Sequence, residues 1–384
     1  MPLTLPVATV LAPPSSGLRP DLSVVRETRY RFEVLDTAEN LVGELSGVEP
    51  SGSSVDWTAT ASVKGGGTLR VTDRGEHVDW LRARIRPVVI ITDLLNAVTA
   101  EYPVGIFLPS APVEQWTATG KSWDVELLDK CSILDSDVPT DASGNPTTFT
   151  AQAGTNVIAT VSALIAATGE STQAIAPDDK IIPVALTWDM GTTILKIVND
   201  ILDASNYFSL WVDSHGQFQV TPYQSPRNRA PAYGLQGMFS KSELSMMAPE
   251  WSRDRDIYSV PNRFVAIGQG DQQEAAMVAT AINNDPTSPF SYGNRGRWIT
   301  EVVTGIEAAS YEDLLVIAQR RLAAAVRVTS SITVQHILLP DLRVNRTVMF
   351  TNPDAGIDAV CVVTKTQIPF DPTALCSSTL EQVT

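Results

Sequence analysis

The fold is decided by the stretch Asn283–Phe350, which opens with the proline-rich loop Asn283-Asn284-Asp285-Pro286-Thr287-Ser288-Pro289. A strand-like run at 297–304 follows, then a helical run at 310–327 and a second strand-like run at 329–339. One helix between two strands, entered by a stiff loop, is typical of a helix that covers a sheet or barrel. Because no Gly-rich turn precedes the helix, the pattern predicts neither a phosphate-binding loop nor a nucleophile elbow.

The helix predicted at 310–327 carries signals for its start, its buried face and its end. Ser310 and Asp313 have the spacing of a capping box, and Arg327 suits the negative end of the helix dipole. Val316 and Ile317 fall outside the apolar face, so we expect them to be exposed or to meet another chain. The apolar face itself consists of Tyr311, Leu314, Leu315, Ala318, Leu322, Ala325 and Val326.

A series of short motifs runs through the same stretch. In order, they are Asp285-Pro286, Ser288-Pro289, Gly293, Arg295-Gly296-Arg297, a helix bearing Arg320-Arg321-Leu322, and a strand ending in Pro340-Asp341-Leu342. This order resembles the carboxyl-terminal part of tail hub proteins, the minor tail proteins of long-tailed, non-contractile bacteriophages. Such proteins often carry Gly-Asp shortly after the Pro-x-Leu motif, whereas this chain has Asn345-Arg346 there.

The resemblance implies a baseplate-hub-like fold, similar to the hub of contractile-tailed phages, with two similar barrels in each subunit. It implies a homotrimer at the tail tip of the virion, made in the cytoplasm of the host bacterium. Such a hub would close the tail tube and connect the distal tail protein and the tape-measure protein to other tail tip proteins. Genomic DNA would pass through its channel without specific binding.

The residues themselves predict a mainly β protein with an α+β insert. Residues 1–23 are rich in proline and would form an extended arm, either a disordered tail or a segment docked on a neighbouring subunit. Residues 24–137 hold short strand-like runs at close spacing, which predict a first small antiparallel β-barrel-like domain. Within it, the triplet at 65–67 is expected to break the chain, and Pro87 predicts a sheet edge or a bulge.

Helical periodicity begins only beyond 138. Amphipathic helices are predicted at 157–168 and 192–205, followed by a hairpin at 208–220, so residues 138–225 are expected to form a small α+β domain. The order helix, aromatic strand, Asp-x-x-Gly turn and strand also resembles the middle part of tail hub proteins. Residues 226–384 would form a second β-barrel-like domain, with the helix at 310–327 packed on it.

Length, charge and cysteine content restrict the class of protein. A chain of 384 residues suits two or three domains, and a net charge of -15 without any Lys/Arg run disfavours stable binding to nucleic acid. The three cysteines, Cys131, Cys361 and Cys376, are too scattered for a disulfide framework and are expected to be buried thiols. No signal peptide and no membrane-spanning segment are predicted.

The residues give no catalytic, metal-binding or cofactor-binding constellation, so we predict a protein that is not an enzyme. His77, His215 and His336 are isolated from one another, and the carboxylate pairs Asp178-Asp179 and Glu312-Asp313 suit loops and helix starts. Two alternatives stay open. One is a tail-borne peptidoglycan hydrolase, which would need two facing carboxylates. The other is a receptor- or carbohydrate-binding tail tip protein, since tryptophans can line sugar sites, although here they are dispersed along the chain and core or interface packing is favoured.

Overall fold

The computed structural model describes residues 20–22, 24–76, 78–117, 120–229, 239–240, 245–254, 258–268, 276–306, 308, 310–340 and 342–383. Over these ranges the chain is mainly β with an α+β insert and has large antiparallel sheets, which confirms the predicted baseplate-hub-like fold class. Most of the predicted arm at 1–23, as well as His77, lies outside the described residues. No described helix is long and apolar enough to span a membrane.

The first group of strands is wholly antiparallel and follows the order β3-β4-β8-β7-β5-β1-β2, with β6 beside β5. Alternating apolar side chains point into one core, which includes Phe32, Val55, Leu69, Ile85 and Val125. The strands are β1 (Arg26–Leu35), β2 (Leu41–Leu45), β3 (Ser54–Thr58), β4 (Gly65–Thr72), β5 (Arg84–Asp93), β6 (Val98–Pro103), β7 (Phe107–Thr117) and β8 (Gly120–Asp129).

The glycine triplet at 65–67 does not break the chain, contrary to the sequence prediction, because it forms the start of β4. A β-carbon on Gly67 would lie 2.3 Å from the carbonyl oxygen of Ser54, and one on Gly65 would lie 2.9 Å from the indole nitrogen of Trp57. Glycine is therefore required here because the neighbouring strand and its side chains approach the backbone closely.

Pro87 lies inside a central strand and not at an edge. Along β5 the neighbour on one side is β1 throughout, while on the other side it changes from β7 at Ile85 to β6 at Val88. The amide of Val104 donates to the Pro87 carbonyl on this second side. The amide hydrogen that proline lacks would point to the same side. The missing donor therefore lies at the point where β5 changes its neighbouring strand from β7 to β6.

The middle segment contains α1 (Cys131–Asp135), β9 (Phe149–Ala151), α2 (Val157–Ala167), β10 (Leu186–Trp188), α3 (Ile194–Ala204), β11 (Trp211–Val212) and β12 (Phe218–Gln219). Both predicted helices are confirmed, and side chains cap them: Asn156 accepts a hydrogen bond from the Ala159 amide, and Thr193 accepts one from the Lys196 amide. Their apolar faces share one buried core with the β11–β12 hairpin.

The remaining elements include two short 3-10 turns, Pro226–Asn228 and Pro353–Ala355. The strands β13, β17, β20 and β19 are neighbours in that order, with β18 beside β19, and they enclose a third core. The strands and helices are β13 (Met247–Asp254), β14 (Arg263–Gly268), β15 (Val278–Ile282), α4 (Tyr292–Arg295), β16 (Thr300–Ile306), α5 (Tyr311–Arg327), β17 (Val328–His336), β18 (Thr347–Asn352), β19 (Ile357–Pro369) and β20 (Cys376–Val383).

Helix α5 begins as predicted, since the Asp313 amide donates to the Ser310 hydroxyl. Its buried side chains are Leu314, Ala318 and Leu322, whereas Tyr311 and Val316 are exposed. The sequence predicted that this helix covers a sheet or barrel within residues 226–384, and α5 does lie on a sheet of that range. It packs on a separate sheet of three strands, β15-β14-β16, because the inward side chains of β14 and β15 offer it an apolar surface of their own.

Strand β19 joins the two barrel-like groups into one continuous sheet. Its first half pairs with β18, and its last residues pair with β3, where Ile368 lies opposite Val55. Leu338, Ile368, Phe370 and Cys376 consequently lie in the core of the first group. Carboxyl-terminal strands thus supply side chains to both cores. The domain boundaries that the sequence predicted after residues 137 and 225 stay predictions.

Candidate functional site

The structure does not bring the predicted reactive residues together into a site. His215 lies in the turn between β11 and β12, where Asp213 accepts hydrogen bonds from the amides of His215 and Gln217. His336 ends β17 and belongs to a different part of the fold. No group of three His, Cys, Asp or Glu side chains suited to a metal ion occurs among the residues that the structure describes.

His336 is buried next to a serine but cannot act as a catalytic base. Its Nε2 lies 2.8 Å from the Ser378 hydroxyl, and its Nδ1 lies 2.7 Å from the Ile337 carbonyl oxygen. The exposed fraction is 2% for His336 and 1% for Ser378, so a substrate has no access to the pair. Burial lowers the pKa of His336 to about 4, which keeps the imidazole neutral near pH 7.

The depressed pKa of His336 predicts a loss of stability in acid. As pH falls from 6.5 towards 4, the unfolded chain binds a proton at His336 that the folded chain does not, so the free energy of unfolding decreases. The decrease from this group is about 3 kcal/mol at most. Urea denaturation of the wild type and His336→Gln between pH 7 and pH 4 measures it. The free energy of unfolding of the wild type minus that of His336→Gln should decrease as pH falls. A value that stays constant over this pH range would contradict the prediction.

The carboxylate pairs serve local structure, as the sequence suggested. Asp178 accepts a hydrogen bond from the Tyr207 hydroxyl, and this bond lowers the pKa of Asp178. The backbone carbonyl of Asp178 accepts a further bond from the Asn156 side chain. Glu312 and Asp313 are exposed in the first turn of α5. Neither pair therefore has the arrangement of two carboxylates facing each other across a cleft.

A cluster of four charged side chains lies between the first strands and the middle segment; Arg84, Lys130 and Glu170 are buried and Glu39 is half-buried. The Lys130 Nζ lies 2.5 Å from Glu39 and 2.7 Å from Glu170, and the Arg84 guanidinium lies 2.7 Å from Glu39 and 2.5 Å from Glu170. Lys130 has no exposed side-chain area. Burial of Glu170 acts to raise its pKa, but the hydrogen bonds from Arg84 and Lys130 outweigh it, so the pKa is lowered.

This cluster fixes the middle segment against the first strands. Glu39 follows β1, Arg84 begins β5 and Lys130 follows β8, whereas Glu170 follows α2. Lys130 also donates to the carbonyl of Gly216 in the β11–β12 turn, 3.0 Å away. Two cations and two anions balance one another, so the geometry of the junction is specified by charge pairing. No local pattern in the sequence indicates this cluster.

Among the described residues, several apolar side chains are exposed, and two of the surfaces that they form lie on sheets. The first, the open sheet face, is the side of β15-β14-β16 opposite α5; it carries Val265, Ile267, Val278, Ile282 and Val302. Val302 is 54% exposed, and Val278 and Ile282 are also exposed. Contiguous apolar surface of this kind is typical of protein–protein contact.

The second surface, the β7 edge, carries Val113 and Trp116, and Trp116 is 75% exposed. Over the described residues, β7 beyond Phe107 pairs only with β8, so its other side offers backbone groups to a further strand. Ala111 has a φ of 43° and lies in the register shift between Ser110 and Val113. Such a bulge is a common way of limiting unwanted strand pairing at an edge.

Solved structures that share this fold include three tail proteins, two of them from prophages. A tail protein from Neisseria meningitidis MC58 matches with a TM-score of 0.61 at 11% identity, over 92% of this chain and 97% of that one. The 43 kDa tail protein of prophage MuSo2 from Shewanella oneidensis gives 0.63 at 12%, over 92% and 98%. The prophage tail protein gp18 from Listeria monocytogenes EGD-e gives 0.52 at 15%, over 91% and 94%.

The chain thus has the same fold as these tail proteins. The resemblance to tail hub proteins that the sequence indicated is confirmed at the level of the fold. No protein-family model and no curated protein sequence matches the chain.

Proposed function

We propose that this protein is the hub at the tail tip of a bacteriophage virion, a structural protein without enzymatic activity. One observation carries the proposal: the likeness to tail proteins extends over 92% of this chain and at least 97% of two of those proteins. Both barrel-like groups and the middle segment therefore take part in it. The scattered histidines and carboxylates of the described residues agree with a structural role.

In this role the hub forms a homotrimer that closes the tail tube. It connects the distal tail protein and the tape-measure protein to other tip proteins, and genomic DNA passes through it without specific binding. The open sheet face and the β7 edge offer apolar surface for such contacts, and a net charge of -15 disfavours retention of DNA.

Immunolabelling of intact particles tests the position of the protein. Gold-labelled antibody against this chain should appear at the tip of the tail in electron micrographs, at the end distant from the capsid. An antibody against the major tail-tube subunit serves as the control and should label the whole tail. Label on the capsid, along the tail shaft, or absent from purified particles would overturn the proposal.

Replacing His215 by alanine should leave infectivity close to that of the wild type. The Nε2 of His215 is buried without a hydrogen-bond partner, so its removal breaks no bond of the ring. Plaque titre and counts of complete tails measure the effect, and zymography on host cell walls tests the purified protein directly. A severe loss of infectivity with normal tails, or clearing on the zymogram, would favour a cell-wall hydrolase.

A further inference from the structure

A pocket of about 380 Å³ lies where the two barrel-like groups meet, at the start of β1. Its wall is mixed, slightly more polar than apolar, and Leu22, Leu338 and Leu375 are among the aliphatic residues that line it. The hydroxyl-bearing residues Thr28, Tyr30, Ser245 and Thr373 lie among them. Arg26 is the one charged side chain among the described residues that line it.

Only one of the two Nη atoms of the Arg26 guanidinium has a hydrogen-bond partner. Its Nη2 donates to the carbonyl oxygen of Leu338 at 2.7 Å, whereas its Nη1 is shielded from solvent and has no hydrogen-bond partner. Burial lowers the pKa of Arg26. Two of the groups that counter this effect, Cys376 and Tyr30, have pKa values that burial raises, so both are uncharged at neutral pH. Arg26 is half-buried, and none of the described side chains around it brings an anion, so a ligand that supplies one gains affinity here.

We propose that this pocket binds a carboxylate carried on an aliphatic peptide segment of a partner protein. The free N–H of Arg26 suits an Asp or Glu side chain, because guanidinium and carboxylate form strong, directional hydrogen bonds. The leucines of the wall suit aliphatic neighbours on both sides of that acidic residue. A single cation matches one negative charge, which favours a carboxylate over a doubly charged phosphate. The inference concerns the isolated chain and does not depend on its place in a tail.

Peptide titration of the isolated protein tests the pocket. Met246 lines it, so its ¹³C-labelled methyl group, assigned with a Met246→Leu variant, reports on occupancy by NMR. The probes are N-acetyl-Leu-Glu-Leu-amide and its Gln counterpart. The Glu peptide should shift the Met246 signal with a Kd on the order of 1 mM or tighter, and the Gln peptide should bind at least about tenfold more weakly.

Three variants separate the role of Arg26 from general effects. Arg26→Met should abolish the shift of the Met246 signal. Arg26→Lys should weaken the shift, since lysine keeps the positive charge but lacks the planar guanidinium that donates two hydrogen bonds to one carboxylate. Arg29→Met is the matched control, because Arg29 lies on the same strand, is exposed and pairs with Glu27; it should bind as the wild type does. Arg26→Lys also keeps the test decisive if Arg26→Met does not fold.

Several results of these titrations would contradict the proposal. The proposal is overturned by equal binding of the Gln peptide, by unchanged binding to both Arg26 variants, or by no shift at about 10 mM peptide, tenfold above the expected Kd. Equal affinity for sodium acetate would overturn the assignment to a peptide. Each of these results leaves the tail-tip position, which is tested by microscopy, unaffected.

Discussion

Replacing Lys130 by methionine is expected to destabilise the protein by roughly 3–5 kcal/mol. The substitution leaves the buried Glu170 and the half-buried Glu39 with Arg84 as their one remaining cation in the cluster, so one negative charge loses its partner. It also removes the hydrogen bond to the Gly216 carbonyl. The midpoint of urea denaturation at pH 7 measures the change, with the slope of the transition as a check on two-state behaviour.

Lys196→Met is the matched control for this prediction. Lys196 forms an ion pair with Asp200 one helical turn away, but its side chain is 58% exposed, so the loss should be roughly 0.5 kcal/mol or less. The double variant Lys130→Met with Glu170→Gln should recover part of the stability, since it restores the balance of charge. A Lys130→Met loss as small as that of Lys196→Met would show that the cluster is not isolated from water as described.

Replacing Leu322 by aspartate should prevent the formation of tails. Leu322 lies in the core between α5 and the β15-β14-β16 sheet, together with Phe264 and Ala281. An aspartate there buries a charge without a partner, which costs several kcal/mol and exceeds what a small sheet of three strands can lose. Tail counts in lysates and urea denaturation of the purified chain measure the two consequences.

Val316→Asp provides the comparison on the same helix. Val316 is 62% exposed, so the free energy of unfolding should change by less than about 0.5 kcal/mol. Normal tail yield from Leu322→Asp would contradict the assigned burial. If Val316→Asp kept its stability but lost tail yield, Val316 would lie in a contact with another chain, the second of the two positions that the sequence allowed for it.

Local patterns predicted the helices and the hairpin well, because the signals that determine them lie within one or two turns. The Ser310 cap, the buried faces of α2 and α3, and the Asp213 turn all follow from neighbouring residues. The surface on which α5 packs did not follow, because it depends on pairing between β14 and β16, which lie on either side of β15 and α4. The glycines at the start of β4 were misread for a related reason: the groups that would clash with a side chain belong to β3 and to Asp129.

The candidate site was less predictable than the fold. Glu39, Arg84, Lys130 and Glu170 are far apart in sequence, and each is an ordinary charged residue beside a turn or strand. Only the three-dimensional arrangement removes them from water together. Arg26 is likewise an ordinary charged residue of β1 in the sequence. Its position in a pocket depends on residues 337–338 and 372–375, which are far from it in the chain.

The shared strand β19 has a consequence for the order in which the chain acquires structure during its synthesis. The first barrel-like group begins at Arg26, yet its core needs Ile368 and Phe370, which leave the ribosome more than 300 residues later. Until then Val55 has no partner strand on one side, and Phe32 lacks the ring of Phe370 that lies 4.9 Å from its own. Nascent chains arrested before β19 should therefore remain sensitive to protease in the first group, whereas chains that include β20 should become resistant as a single unit.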